Sequence, residues 1–428
     1  VKWLAIIVAV GMAVFTAVSI AFADTWSYKV VANAGSVSIS TFDLLFFGAV
    51  GIFIVVNALG FTPERLPANR IVLALCWTYV GYQVLVVLPA AVLLHDLRPI
   101  DVVRMQEVRL SVVLIPIVYT VVLRYLRADV VIAIFDAAAI ALLAYVLIQH
   151  FTGGDRGYYE SGVFRLRVVW GGGILLFGWL LLSSLFYWPT RMWRIGLAGL
   201  GLLGIGLANE RSGLLACATS FVAAMLVMRG VARRALIALA LVGVVAVAFY
   251  VTASPAVRAS VAYSVRTVVN ASSDQTAQDR VIRSALGLQY LQNHLLGDYV
   301  WTQRFYDVNL GAANFVPHNF IVQLLVTQGV IAAGLYFAII GASLLLAWRN
   351  RKDHLTGFTL AYLVFYLTFC LLNANIDLRE NVSLFYISVA LVLFANRRLA
   401  LATEQDELLD ARALDRPARV AVAGAARA

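Results

Sequence analysis

Apolar runs recur along this chain from its first residues to residue 396. Most are roughly 15–25 residues long, which is the length of helix that crosses a bilayer. They fall at about 4–22, 42–60, 71–94, 111–123, 130–149, 168–188, 195–208, 212–228, 235–252, 320–348, 356–372 and 383–395. About twelve spans are therefore expected, in an all-α polytopic membrane protein. Composition agrees. Charged residues make up 13% of the 428 positions, and the mean hydropathy is +0.86. A soluble surface would need roughly 25% charged residues. The first run ends in Ala-Phe-Ala before Asp24, like a signal cleavage site, but it is longer than a usual signal core and more spans follow.

The formal net charge is +10. Nucleic acid is not the expected partner, because no soluble basic domain carries the charge. The arginines stand singly or in pairs at the ends of apolar runs. Alternate short loops hold Arg65 and Arg70, Arg124 and Arg127, Arg191 and Arg194, Arg229, Arg233 and Arg234, Arg349, Arg351 and Lys352, and Arg397 and Arg398. The positive-inside rule places those loops and both termini in the cytoplasm. Arginines on the other side, such as Arg98, Arg104, Arg109, Arg156, Arg165, Arg167, Arg211 and Arg379, need a different explanation. The division is then spans 1–9 over residues 1–252, an outer loop over 253–317, spans 10–12 over 318–396, and a solvated cytoplasmic tail over 397–428. Cys76, Cys217 and Cys370 all fall in apolar segments, so neither a disulfide framework nor a zinc site is expected.

Chemistry-bearing residues collect around the long outer loop. Span 195–208 is only about 21 Å of helix, so Glu210 and Arg211 in Asn-Glu-Arg-Ser-Gly sit at or below the membrane surface. They read either as an anion clamp or as an interfacial turn. Within the loop, TAQDRVIRSALGLQYLQNHLLG reads as an amphipathic helix. Val281, Ala285, Leu288 and Leu295 recur at helical spacing, and Gly297 supplies a stop. Arg280 and Arg283, spaced i,i+3, share a face that either holds a diphosphate or is simply solvated. Tyr299, Trp301, Phe305, Tyr306 and Phe315 follow, suited to stacking on sugars or to anchoring at the interface. The next span opens with Val-Pro-His-Asn. His318 and Asn319 lie in its first turn, where free N–H groups favour anions. Asn319, Gln323 and Thr327 form an i,i+4 polar stripe, and Gly329, Ala332, Ala333 and Gly334 permit close helix approach. His318 reads as a base or as a headgroup-level histidine. Asp136, mid-span, reads as a proton-coupling acid or as a buried partner for an arginine or a serine.

Taken together, residues 195–375 resemble the O-antigen ligase and polymerase superfamily. The likeness rests on the short span ending in Arg211-Ser212-Gly213, Arg280 opening the loop helix, and its Leu295-Leu296-Gly297 end. His318-Asn319 then opens the next span, followed by Gly329. Glu210 departs from the frequent Ser or Thr, and Gly297-Asp298-Tyr299 from the frequent Gly-x-Gly. The resemblance implies a GT-C-like glycosyltransferase of the bacterial inner membrane, with its active site facing the periplasm. The donor would be a glycan on undecaprenyl diphosphate, and the acceptor a sugar hydroxyl of lipid A–core. No cofactor or metal is implied. His318 would be the base, with Arg211 and Arg280 binding the diphosphate. Arg283, Asn319, Arg258, Arg266, Arg379, Tyr299 and Trp301 are further substrate-binding candidates. The related alternative is a polysaccharide polymerase using the same donor. A transporter of lipid-linked glycan is the alternative of another class.

Overall fold

The computed structural model describes residues 2–21, 30–34, 37–40, 67–95, 109–152, 157–160, 163–166, 171–188, 193–208, 210–227, 275–297, 319–372 and 382–404, with a few single positions between them. Helix α1 is Lys2–Ala21. Helix α2 covers 67–95, with a π-turn at Gln83–Val87 between Pro67–Tyr82 and Leu88–His95. Helix α3, Ser111–Tyr125, changes pitch repeatedly and includes a π-turn at Val118–Val122. Helix α4 is Ala128–Phe151. Helix α5 is Gly171–Leu182 and runs on into a third π-turn at Ser183–Tyr187. Helices α6 and α7 are Trp193–Leu207 and Arg211–Val227. Helix α8, Gln275–Asn293, belongs to the long loop. Helices α9 (Phe320–Arg349), α10 (His354–Leu372) and α11 (Val382–Glu404) complete the order.

Among the described residues, five helices are long and apolar enough to cross a bilayer: 69–94 of α2, 128–149 of α4, and α9, α10 and α11. Shorter apolar helices fall in α1, α3, α5, α6 and α7. This is the architecture of a helical, membrane-embedded protein. The expected spans at 42–60 and 235–252 lie almost wholly outside the described residues. Two pairs of short strands accompany the helices. Val30–Ala34 (β1) pairs antiparallel with Val37–Ser40 (β2), and Gly157–Glu160 (β3) with Val163–Leu166 (β4). Both are short hairpins in connections between apolar runs.

The core is aromatic and glycine-lined. Trp179 is fully buried, with Phe135, Phe358 and Tyr362 at ring-centroid distances of 5.3, 4.9 and 5.0 Å. Gly201 and Gly204 of α6 lie against the backbone and ring of α5 at Phe177 and Leu181, so these helices pack closer than side chains would permit. Phe358, near the start of α10, packs on Tyr187 at the end of α5, whereas the Tyr362 hydroxyl donates to the Leu175 carbonyl near the start of α5 (3.2 Å). Helices α5 and α10 therefore run in opposite directions. Leu372, at the end of α10, lies at the end of the bundle where α5 begins.

At the opposite end, polar side chains join five helices. The Asn69 amide donates to the Tyr119 hydroxyl (2.7 Å) and to the Leu393 carbonyl (3.2 Å), Asn396 donates to Asn69, and Asn350 donates to Asn396. Arg398 pairs with Asp353, which also caps the start of α10 at Thr356.

Candidate functional site

The site grows from three helix termini and one helix that lies across them. Helix α7 begins at Arg211, so this arginine is the first residue of a helix and not part of a loose turn. The helix dipole opposes a cation at an N-terminus, so the dipole of α7 does not favour Arg211 there. Gly213, two residues on, touches Ile174 of α5 and Ile205 of α6, where a Cβ would be crowded. That contact places the start of α7 at the start of α5, and hence at the Leu372 end of the bundle.

Helix α8 lies across that same end. Arg280 donates from Nη1 to the carbonyl of Leu372 (3.0 Å). The last carbonyls of a helix lack in-helix partners, and a guanidinium completes one of them here. Arg280 and Arg283 are half-buried, Gly287 is buried, and Tyr290 is 6% exposed. These residues form one face of α8, turned toward the bundle. The apolar stripe read from sequence faces the other way: Val281 is 69% exposed and Leu288 48%. A helix at a bilayer surface gains by presenting apolar side chains to lipid. Its charged face is then free to meet the protein. The arginine face of α8 is thus not simply solvated, as one reading of its sequence allowed.

Helix α9 opens at Asn319, whose side-chain oxygen accepts from the Ile321 and Val322 N–H groups (3.0 and 3.4 Å). It is an N-cap, worth roughly 0.5–2 kcal/mol. The stripe of Gln323 and Thr327 is buried in the bundle, as expected. Arg109 meets it there, donating from Nη2 to Thr327 Oγ1 (3.2 Å), and is 5% exposed. Gln328, one residue on, accepts from the Tyr79 hydroxyl (3.2 Å) and from the Gln83 amide, in the π-turn of α2. Arg109, one of the arginines that defied the topology rule, thus has a buried polar partner in another helix.

Helix α9 is then interrupted. Gly329 has φ 74° and ψ 173°. The Val330 N–H turns to the Leu295 carbonyl at the end of α8 (2.9 Å). The sequence suggested small residues at this point for close helix packing. The structure adds a backbone break into which the end of the loop helix is set. Tyr336, seven residues past the break, and Tyr366, six residues before the end of α10, both pack on Phe385 at 6.0 and 5.3 Å. The break therefore lies close to level with Leu372, Arg280 and the start of α7.

Of the candidates from sequence, Arg211, Arg280, Arg283 and Asn319 are placed, and the first three share one end of the bundle. Arg258 is exposed. His318, Arg266, Arg379, Tyr299 and Trp301 lie outside the described residues. In the sequence His318 is the residue before the Asn319 cap.

Asp136 belongs elsewhere. It accepts from Ser183 (2.6 Å) and pairs with Arg194 (2.5 Å), with both charged side chains under 10% exposed. The Arg194 guanidinium also lies over the rings of Trp188 and Trp193, 4.9 and 4.5 Å from their centroids. Of its two sequence readings, the buried structural partner describes this contact. No protein-family model matches the chain, and no curated protein matches it significantly.

Proposed function

We propose that this protein is a membrane glycosyltransferase of the O-antigen ligase type. It moves a glycan from undecaprenyl diphosphate to a sugar hydroxyl of lipid A–core at the periplasmic face of the inner membrane. The observation that carries this reading is the turn of α8: its arginine face meets the end of the bundle at which Arg211 opens α7. A lipid diphosphate leaving group needs fixed cations, and guanidinium suits phosphate oxygens. In the proposed reaction the acceptor oxygen attacks the anomeric carbon and His318 takes its proton. The bond from that carbon to the diphosphate breaks, and its electron pair leaves with undecaprenyl diphosphate beside Arg211 and Arg280. Attack opposite the leaving group inverts the anomeric centre. The GT-C-like fold and a total of about twelve spans belong to the same proposal.

The polysaccharide polymerase is the companion reading, with the same donor site and a lipid-linked acceptor. Pairing of Asp136 with Arg194 weakens the transporter reading, because it occupies the acid that suggested proton coupling.

The test is glycan transfer by purified protein in detergent. His318→Ala is expected to lower transfer by about 10²–10⁴-fold, and Arg397→Ala, at the far end of the bundle, to leave it unchanged. Wild-type rates in the histidine variant would remove the base. The lipopolysaccharide ladder after deletion separates the two companions. Loss of all capped bands with accumulated lipid-linked polymer marks a ligase, and core carrying a single repeat marks a polymerase.

A further inference from the structure

A helix interrupted inside a bundle leaves N–H and C=O groups that must find other partners. At Gly329 the partner comes from α8. The Leu295 carbonyl accepts from Val330, and the Leu295-Leu296-Gly297 backbone lies against the break. Both glycines are needed by this one contact. The Gly329 dihedrals, 74° and 173°, lie in a region essentially closed to residues with a Cβ. Gly297 has φ 77°, also in the left-handed range. A Cβ on Gly329 would overlap the Leu296 backbone, and one on Gly297 would overlap the Gly329 nitrogen. At the other end of α8, Arg280 is bonded to the Leu372 carbonyl. Roughly 20 Å of helix separates the two attachments. A rod held at both ends can neither slide nor roll, so its arginine face stays toward the bundle.

We propose that the interlock of Leu295–Gly297 with Gly329 is a positioning device for the diphosphate site. It sets the register of α8, and so the place of Arg280 and Arg283 relative to Arg211. Gly297 and Gly329 are positioning residues, acting through α8 on the donor without touching it. The proposal rests on the reading of these arginines as diphosphate ligands.

The experiment uses full-length protein in detergent with undecaprenyl diphosphate as the probe. Spin labels at Gln289 on α8 and Leu214 on α7, both exposed, report the register. Calorimetry reports binding. Gly329→Ala is expected to broaden the distance distribution and to weaken binding by about tenfold to a hundredfold, the worth of one hydrogen bond to a charged group. Gly334→Ala, on the same helix with open space at its Cβ, is the control and should match wild type in both. Insertion of one alanine after Asn293 leaves both glycines intact but displaces Arg280 along and around the axis, and should weaken binding similarly. It decides the matter if Gly329→Ala does not fold. Unchanged binding in a variant whose register has shifted would overturn the positioning role, as would an unshifted register in Gly329→Ala. Wild-type protein that does not bind undecaprenyl diphosphate would instead overturn the functional reading on which the proposal rests.

Discussion

Asp136 and Arg194 stand 58 residues apart in sequence and meet at 2.5 Å with Ser183 beside them. Each half of this contact is legible in sequence: a mid-span acid seeks a cation, and a loop arginine sits near a membrane end. Their meeting is not, because it depends on how α4, α5 and α6 pack. Desolvation makes such a pair more costly to break than to replace. Asp136→Ala strands a buried guanidinium and is expected to cost about 3–5 kcal/mol. Asp136→Leu with Arg194→Met removes both charges and should recover most of the loss. Unfolding of the two variants in detergent measures this. A stable Asp136→Ala variant with lost activity would move Asp136 from scaffold to mechanism. Arg280 carries the same lesson. Its i,i+3 spacing with Arg283 was visible, but only the packed position of α8 shows that this face meets the Leu372 carbonyl.

The described apolar helices, the amphipathic loop helix and the polar stripe on α9 follow from local periodicity, and their places agree with it. What periodicity does not carry is the contact between distant backbones. Gly297 reads as a stop and Gly329 as a small residue. Their joint requirement appears only when the end of α8 enters the break in α9. The π-turns at Gln83–Val87 and Ser183–Tyr187 are similar cases. Each shifts helical register where Gln83 or Ser183 makes a polar contact across helices. Glycine packing gives a direct test at this scale. A Cβ on Gly204 would fall on the Phe177 ring, whereas one on Gly206 meets open space. Gly204→Ala should lose about 1–3 kcal/mol by overpacking, and Gly206→Ala should lose nothing. Thermal unfolding of both variants in the same detergent distinguishes them. Equal melting would mean that α5 and α6 separate without cost.

For the molecule as a whole, the two ends of the bundle differ in kind. At one end Arg349, Arg351, Lys352, Arg397 and Arg398 gather near the Asp353–Arg398 pair. At the other end α8 lies with its arginine face on the bundle and its apolar face outward. Helix α9 runs about 45 Å, but the part after its break, 330–349, is about 30 Å long, one hydrocarbon core. The break and α8 thus stand one bilayer's thickness from the basic end. In the proposed function, the positive-inside rule would put α8 and Arg211 outside the cytoplasm, the side on which a finished lipid-linked glycan would be joined to its acceptor. Single cysteines test this. Gln292→Cys on α8 should react with a membrane-impermeant maleimide in intact spheroplasts. Lys352→Cys, between α9 and α10, should react only after the membrane is opened. Both positions are exposed, and Cys76, Cys217 and Cys370 are buried, which keeps the background low. The reverse pattern would turn the arginine end toward the cytoplasm. It would separate the site from a periplasmic acceptor, and the ligase reading would fall even if every residue in the site proved necessary.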